Sequence, residues 1–571
     1  MNAPSKRAPT DATSARGLTV ALLAGGLTYL ILAASGGDPL HAARDRGAPL
    51  EIGKPIEREI RGGETHAYEI TVPAGQVARG VVEQRGVDVA LRVVDPGGTV
   101  VAKLDSPNGP QGPEPWTIEA TGPGPWRLEV SPFGEKDNPG RYEARIDEII
   151  SAFEHAERRA KLRYRSPRMM DLWRAHRAEG ALALNRFAKE MQGRAPLVEP
   201  LEGDARGDVL ITFLRPSPPA TRYVGLFGAP AVTQVGVPAA TETPLLRFED
   251  TDLWYVSLRV PKDLRIEYGF REGEPPDMGL SRKEAEEKYA RFAPDEWNPK
   301  QFGGLSLIEL PSAPPQPWAQ RKPGVPEGRV VRESIGSDIL GEDRKLGVYL
   351  PANFDPARGP YPYVLFFDGE WYGLEVPDVS APTVLDNLIA EKKVPPMIGV
   401  LVANQGTRTR DMAMSAPFCD FLVKELVPRL RREYRAAEAP GEATLAGASL
   451  GGVVSTYCAL RHPDVFGKVL SQSGAFQFAP GVFDAAAPYH IETGALMRDI
   501  AGSPAKPVRF WMEVGLFEPL VAQNRHMRDV LLAKGYDVSY HEYSGGHNFV
   551  SWRGSVADGL IALTAPRAAP R

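Results

Sequence analysis

The chain has 571 residues, of which 43% are hydrophobic and 24% are charged, a composition typical of globular proteins with several domains. Its formal net charge is −5, and basic and acidic residues are interspersed along it. Nucleic-acid binding depends on clustered lysines and arginines, so this balance excludes a general nucleic-acid-binding role.

The first 37 residues have the pattern of an export signal. Basic residues precede an uncharged, largely apolar run over residues 18–34, and small and turn-forming residues follow it. The run is long for a cleaved signal peptide and short for a membrane-spanning helix, so cleavage and an uncleaved N-terminal anchor both stay open. Because the basic residues come first, either outcome leaves the rest of the chain beyond the membrane. We expect an exported protein that is periplasmic, extracellular or tethered to the membrane.

Short alternating strands separated by Gly- and Pro-containing turns follow over residues 50–149, which predicts a β-sandwich. Trp116 and Trp126 in this region could stack on a sugar ring or could fill the core. The region resembles the bacterial pre-peptidase C-terminal type of domain, which implies an accessory module without chemistry of its own. The motifs that carry this resemblance are Pro73-Ala-Gly-Gln76, Val87-Asp-Val-Ala-Leu91, Asp95-Pro-Gly-Gly98 and Gly140-Arg-Tyr142.

Three further regions are distinguished by their periodicity. Residues 150–195 have helical spacing interrupted by a proline, which predicts a helical linker. Residues 196–300 return to short strands, which predicts a second, immunoglobulin-like sandwich. Residues 325–565 alternate continuous apolar strands with helices, which predicts a mostly parallel, doubly wound sheet in the order of an α/β-hydrolase. The predicted fold class is therefore two N-terminal β-sandwiches followed by an α/β-hydrolase domain.

A Gly-x-Ser-x-Gly motif, Gly447-Ala-Ser-Leu-Gly451, lies between a short apolar strand and an apolar helical run. This is the pattern of a nucleophile elbow, in which a sharp turn exposes the serine hydroxyl at the end of a sheet. Glycine is expected at both flanking positions, because a side chain there would clash in the turn. Ser449 is the predicted nucleophile.

A serine hydroxyl is a weak nucleophile unless a base accepts its proton. In this fold the base follows the nucleophile and the acid along the chain. His547 lies in a Gly-Gly-His turn directly after the last predicted strand, where glycines permit a tight loop. His541 falls within that strand and His526 on a surface helix, so His547 is the predicted base.

The base needs a carboxylate to hold its tautomer. Glu518 follows the preceding strand in Gly515-Leu-Phe-Glu518, at the usual spacing after that strand. Glu513 is the rival, although strand geometry places it inside the strand rather than at its carboxyl end. Glu518 is the preferred acid, and the choice between the two glutamates stays open.

The oxyanion of a tetrahedral intermediate needs backbone donors. One is expected to be the N–H of Leu450, at the N-terminus of the helix after Ser449, and the other comes from the loop after an earlier strand. In Asp368-Gly-Glu-Trp371 the donor would be the N–H of Glu370 or of Trp371.

Several of these motifs together resemble the enterochelin (enterobactin) esterase family over about residues 196–565. One motif departs from the family's usual Asp-Pro-Leu-Asn-Pro, since Glu296 and Trp297 occupy its second and third positions. The motifs that carry the resemblance are Tyr223-Val-Gly-Leu-Phe227, Asp295-Glu-Trp-Asn-Pro299, Phe367-Asp-Gly-Glu-Trp371, Arg408-Thr-Arg-Asp-Met412, Gly447-Ala-Ser-Leu-Gly-Gly452, Gly515-Leu-Phe-Glu-Pro519 and Gly545-Gly-His-Asn548 with Trp552-Arg553.

The resemblance implies hydrolysis of the serine ester bonds of a catecholate siderophore, a small molecule that would bring its own iron. Such an anionic substrate calls for cations, and Arg408, Arg410 and Arg553, with Trp552, are predicted to line the pocket, although each arginine could equally hold a structural ion pair. An acetyl or feruloyl carbohydrate esterase, and a non-catalytic binding protein with a hydrolase-like domain, are the alternatives.

The sequence contains no zinc-protease signature and no cysteine pair at metal-binding spacing, so we expect neither a metal nor another cofactor. Its two cysteines, Cys419 and Cys458, lie in apolar helical segments. Whether they form a disulfide or are two small core residues stays open.

Overall fold

The computed structural model describes residues 47–134, 139–228, 242–275, 292–376, 379–478 and 494–565. The predicted export segment, residues 1–37, lies outside the described residues. The chain divides into two compact units, Met1–Tyr164 and Arg165–Arg571. The predicted linker over residues 150–195 is thus divided between them.

The first unit contains two sheets that share one hydrophobic core, with strand orders β1-β3-β8-β5-β6 and β2-β9-β4-β7. Buried and more exposed residues alternate along its strands, because successive side chains point to opposite faces. Trp116 and Trp126 are both buried in this core, which favours core packing over sugar stacking. Its elements are β1 Ala48–Pro49, β2 Ile56–Ile60, β3 His66–Thr71, β4 Gln76–Arg85, β5 Val89–Val94, β6 Val100–Leu104, β7 Gln111–Glu119, β8 Pro125–Pro132, β9 Gly140–Ser151 and the helix α1 Ala152–Arg163.

The second unit begins with two helices and a β module, which we call the proximal module (residues 197–310). Ser166 caps the first helix by accepting a hydrogen bond from the Met169 N–H. The two sheets of the proximal module have strand orders β10-β11-β15-β14 and β13-β12-β16-β18-β17. The elements are α2 Pro167–Glu179, α3 Ala181–Met191, β10 Leu197–Pro200, β11 Val209–Pro216, β12 Tyr223–Phe227, β13 Glu242–Pro244, β14 Leu246–Arg247, β15 Leu253–Val260, β16 Arg265–Gly273, β17 Gln301–Phe302 and β18 Leu305–Glu309.

The remainder forms the hydrolase module, a sheet with strand order β19-β20-β22-β21-β23-β24-β25-β26. β20 pairs antiparallel with both of its neighbours, β19 and β22. The other pairs of the sheet, from β22 through β26 in the strand order, are parallel. Its central strands are buried along their whole length, as expected for a sheet covered on both faces. The strands are β19 Arg329–Ser337, β20 Glu342–Leu350, β21 Tyr363–Phe367, β22 Ile398–Val402, β23 Ala443–Ala448, β24 Lys468–Gln472, β25 Arg509–Gly515 and β26 Asp537–Tyr543.

Helices cover the two faces of this sheet over two separate cores. A core with side chains from α4 and α11 lies on one face, and a core with side chains from α6 to α10 lies on the other. π-helical turns at Glu370–Leu374 and Leu422–Leu426 accompany them. The helices are α4 Ala381–Ala390, α5 Arg408–Met412, α6 Ala416–Phe421, α7 Val427–Tyr434, α8 Leu450–Arg461, α9 Ala495–Gly502, α10 Val521–Ala533 and α11 Phe549–Thr564.

Cys419 of α6 and Cys458 of α8 form a disulfide, with their Cα atoms 5.2 Å apart. Both residues are fully buried. The bond fastens the helix that begins at the Ser449 elbow to its neighbour. No helix in the described part of the chain is long and apolar enough to cross a membrane.

Candidate active site

The predicted elbow is present between β23 and α8. Ser449 has φ 58° and ψ −119°, a conformation that is strained for a residue with a side chain and is typical of a nucleophile elbow. A Cβ on Gly447 would lie 2.8 Å from the backbone of Gly451, so the strand and the helix approach too closely for alanine there. A Cβ on Gly451 would make only ordinary contacts, at 3.7 Å. The expected clash is therefore confined to Gly447.

Glu518 and His547 form a hydrogen-bonded pair in which His547 Nδ1 donates to the Glu518 carboxylate. The other carboxylate oxygen accepts from Ser473 Oγ and from the Gly515 N–H, each at 2.6 Å. The Glu518 side chain is fully buried, whereas 34% of the His547 side chain is exposed. Three donors thus hold the carboxylate in place, and its charge faces the imidazole.

Glu513 lies inside β25 and bonds to other partners. Its carboxyl accepts hydrogen bonds from Gln472 Nε2, at 2.9 Å, and from Ser555. Gln472 in turn accepts from the Tyr372 hydroxyl at 2.7 Å. Burial raises the pKa of Glu513 to about 8, so this group is a neutral acid near pH 7. In this arrangement Glu518 contacts His547, whereas Glu513 belongs to a separate hydrogen-bond network with Gln472 and Ser555.

The other two histidines weighed from the sequence lie away from this pair. His541 is an exposed residue of β26 whose ring lies 5.5 Å from that of Trp511. His526 is exposed on α10.

The loop after β21 carries the predicted second oxyanion donor. Asp368 has φ 59°, and a Cβ on Gly369 would lie 2.5 Å from the β22 backbone, so glycine lets this loop lie against the sheet. The N–H of Trp371 donates to the Asp368 carbonyl at 2.8 Å. The Glu370 carboxylate accepts from the Asn404 N–H at 2.9 Å, which holds the loop from the other side. The first of these bonds occupies the Trp371 amide within the turn, and the second fixes the Glu370 side chain.

The arginines predicted to bind substrate are held in ion pairs. Arg408 donates twice to the buried Asp368, at 2.7 and 2.8 Å, so this arginine holds the loop after β21 in place. Arg410 pairs with Asp411 and Glu342 on a more exposed surface. These ion pairs agree with the alternative that the sequence left open, in which Arg408 and Arg410 hold structural ion pairs instead of binding substrate.

Trp552 and Arg553 also have partners within the protein. The Trp552 indole is buried, donates to Ser473 Oγ at 3.1 Å and packs edge-on against His547, with ring centroids 4.8 Å apart. Arg553 donates to Gln316 at 2.9 Å and lies over the ring of Phe302. Trp552 therefore packs against His547 and against Ser473, and substrate contact by Trp552 and Arg553 stays a prediction.

An aromatic surface continues from Trp552 to the solvent. Phe549 packs edge-on against Trp552, with ring centroids 4.9 Å apart. Trp371 stacks on Phe549 at 5.6 Å with 11° between the ring planes, and 48% of Trp371 is exposed. The loop after β21 thus presents an exposed indole to the solvent.

Sequence reasoning missed Ser473, which bonds to both Glu518 and Trp552. This residue directly follows β24, the strand beside the elbow strand, and has φ 49°. A small polar residue next to a glycine at that position, Ser473-Gly474, was the signal available. Among the described residues, no cluster of three or more histidine, cysteine, aspartate and glutamate side chains is arranged to hold a metal ion.

Two family models match the chain. The model for "Putative esterase" matches residues 337–563, and the model for "Enterochelin esterase, N-terminal" matches residues 211–319. An iron(III) enterobactin esterase from Dickeya dadantii is 30% identical over 357 residues, which cover 57% of this chain and 81% of that protein. The chain belongs to the enterochelin esterase family. It is therefore an ester hydrolase.

Other enterochelin esterase relatives extend this likeness. An iron(III) salmochelin esterase from Escherichia coli O6:H1 is 25% identical over 409 residues, covering 68% of this chain and 95% of that protein. The crystal structure of an enterobactin esterase from Shigella flexneri, determined in the presence of enterobactin, matches with a TM-score of 0.52 at 23% identity. It covers 66% of this chain and 97% of that one, and at this identity it shows a shared fold. The first unit of the chain lies outside both family-model matches.

Proposed function

We propose that this protein hydrolyses its ester with a Ser449–His547–Glu518 triad. The observation that carries the proposal is the bonded Glu518–His547 pair, since both residues follow parallel strands that end at the same sheet edge as the Ser449 elbow. Ser449 Oγ bonds to the ester carbonyl carbon while His547 takes the hydroxyl proton. The carbon–oxygen bond to the alcohol then breaks, and His547 returns the proton to the leaving oxygen. Water then bonds to the acyl carbon while His547 takes its proton. The bond from that carbon to Ser449 Oγ breaks, and His547 returns the proton to Ser449.

The negative charge on the carbonyl oxygen needs two donors in this mechanism. The Leu450 N–H at the start of α8 is the first, because a helix N-terminus stabilises negative charge. The Glu370 N–H is the preferred second donor, since the Gly369 and Trp371 amides donate to the carbonyls of Val402 and Asp368.

The proposed substrate is a catecholate siderophore, whose ester-linked serines carry flat aromatic rings. Two observations support this choice. The relatives named above act on iron(III) enterobactin and iron(III) salmochelin, as their names state. In addition, Trp371 offers an exposed indole face, held flat by Phe549, on which a planar ring can stack. Any iron would enter as part of the substrate.

The substrate proposal is tested by mass spectrometry of the products formed from ferric and iron-free enterobactin. Wild-type protein is expected to yield the linear trimer, dimer or monomer, and Ser449→Ala is expected to yield none. Ser449-dependent hydrolysis of a feruloyl or acetyl ester without any siderophore cleavage would support the carbohydrate-esterase alternative instead. Activity that survives in Ser449→Ala would refute the triad.

We also propose that the protein works in an oxidising compartment outside the cytoplasm. The N-terminal sequence pattern and the buried Cys419–Cys458 disulfide support this location, because disulfides persist mainly in exported proteins. Alkylation of the native cellular protein after denaturation tests the proposal. We expect neither cysteine to react until a reductant is added, whereas immediate alkylation of both would contradict an oxidising location.

A further inference from the structure

Phe517, the residue before Glu518, packs outside the hydrolase module. Its half-buried ring packs against the hydrophobic core of the proximal module. As far as the described residues go, the other side chains of that core all come from residues 209–310. The loop that carries the acid is thus anchored by an apolar side chain in a neighbouring module.

The same module also contacts the loop that carries His547. The Arg265 N–H, at the start of β16, donates to the Ser544 carbonyl at 2.9 Å. A Cβ on Gly545 would lie 2.8 Å from the Arg265 carbonyl oxygen, so the two backbones are in close contact. The Phe517 N–H donates to the Gly545 carbonyl at 3.0 Å and links the two loops to each other. The proximal module therefore contacts the loop that carries Glu518 and the loop that carries His547.

We infer that Phe517 is a positioning residue for the reaction, acting through Glu518 and His547. The inference rests on the proposed triad. Glu518 and His547 lie on loops outside the helices and strands, and 34% of the His547 side chain is exposed, so neighbouring contacts must fix their separation. Small errors in such geometry are costly, since a displacement of about 1 Å can reduce a rate by about 100-fold. The proximal module thus contributes to turnover as well as to the fold.

The test compares Phe517→Ala and Phe517→Leu in the full chain, with 4-nitrophenyl acetate as a small probe ester. Leu258→Ala is the matched control, because Leu258 is another half-buried residue on the same core but lies within β15, away from the catalytic loops. Phe517→Ala is expected to lower kcat by about 10- to 100-fold with KM changed less than about twofold. Phe517→Leu should recover most of the rate, because leucine retains an apolar anchor.

Thermal unfolding of the same proteins separates positioning from general destabilisation. Both alanine variants are expected to unfold at lower temperature than wild type, yet Leu258→Ala should keep kcat within about twofold when assayed where all are folded. Equal kcat for Phe517→Ala and Leu258→Ala would overturn the inference. Wild-type hydrolysis that does not depend on Ser449 would refute the proposed triad, and this inference with it.

Discussion

Replacing Glu518 by glutamine tests the acid–base pair directly, and the structure gives the expected size of the effect. The oxygen that accepts from the Gly515 N–H and from Ser473 must remain an acceptor, because a backbone N–H can only donate. The glutamine amide nitrogen would therefore take the other position, facing His547 Nδ1. The imidazole would then need an unprotonated Nδ1, which moves its proton to Nε2. Such a tautomer cannot accept the proton of Ser449.

We expect Glu518→Gln to lower kcat by about 10³- to 10⁴-fold, comparable to the amide substitution of the triad acid in serine proteases and equal to about 4–5.5 kcal/mol of activation free energy. The assay is steady-state hydrolysis of a soluble ester at pH 7. Glu513→Gln is the matched control, because that buried carboxyl is already neutral at this pH and should change kcat less than about threefold. A loss below tenfold for Glu518→Gln, or an equal loss for Glu513→Gln, would refute the assignment of the acid.

Three further predictions concern the fold around the site. Gly447→Ala should abolish activity and lower the melting temperature, whereas Gly451→Ala should fold normally. Equal behaviour of the two variants would contradict the close approach of strand and helix at Gly447. Removing the disulfide by Cys419→Ala with Cys458→Ala should lower the unfolding free energy by about 4 kcal/mol for this 39-residue separation, and an unchanged urea midpoint would argue against the bond. Finally, burial raises the pKa of the folded Glu513 carboxyl to about 8, while the unfolded carboxyl loses its proton near its ordinary value of 4.5. The free energy of unfolding should therefore fall as pH rises from about 5 to 8, and a parallel decline in Glu513→Gln would refute this origin.

Local sequence patterns anticipated the elements that position the site. The apolar strand before Gly447 and the helical run after Ser449 are present as β23 and α8. Strand geometry also favoured Glu518 over Glu513 as the partner of the histidine. Glu513 lies inside β25, whereas Glu518 lies beyond the end of that strand and can reach the loop of His547. The enzyme class, an ester hydrolase, is confirmed by the family membership, and the triad itself stays a prediction.

Other features depend on contacts between distant parts of the chain, which periodicity does not report. In the sequence, Phe517 has the pattern of an ordinary apolar loop residue. Its contact with the core of the proximal module depends on how the two modules pack together. Ser473 gains its role only because β24 lies between the strands that precede Ser449 and Glu518. The arginine motif at Arg408 was ambiguous for a similar reason, since its partner Asp368 lies 40 residues earlier in the chain.

Chemical labelling tests whether Ser449 is the nucleophile that opens the siderophore ester. The protein is treated with a fluorophosphonate until its intact mass shows complete single labelling, the modified peptide is identified, and the labelled enzyme is then incubated with ferric enterobactin. We expect the label on Ser449, and we expect the labelled enzyme to form no linear siderophore products while a mock-treated sample forms them. Siderophore cleavage by enzyme fully labelled at Ser449 would contradict this role of Ser449.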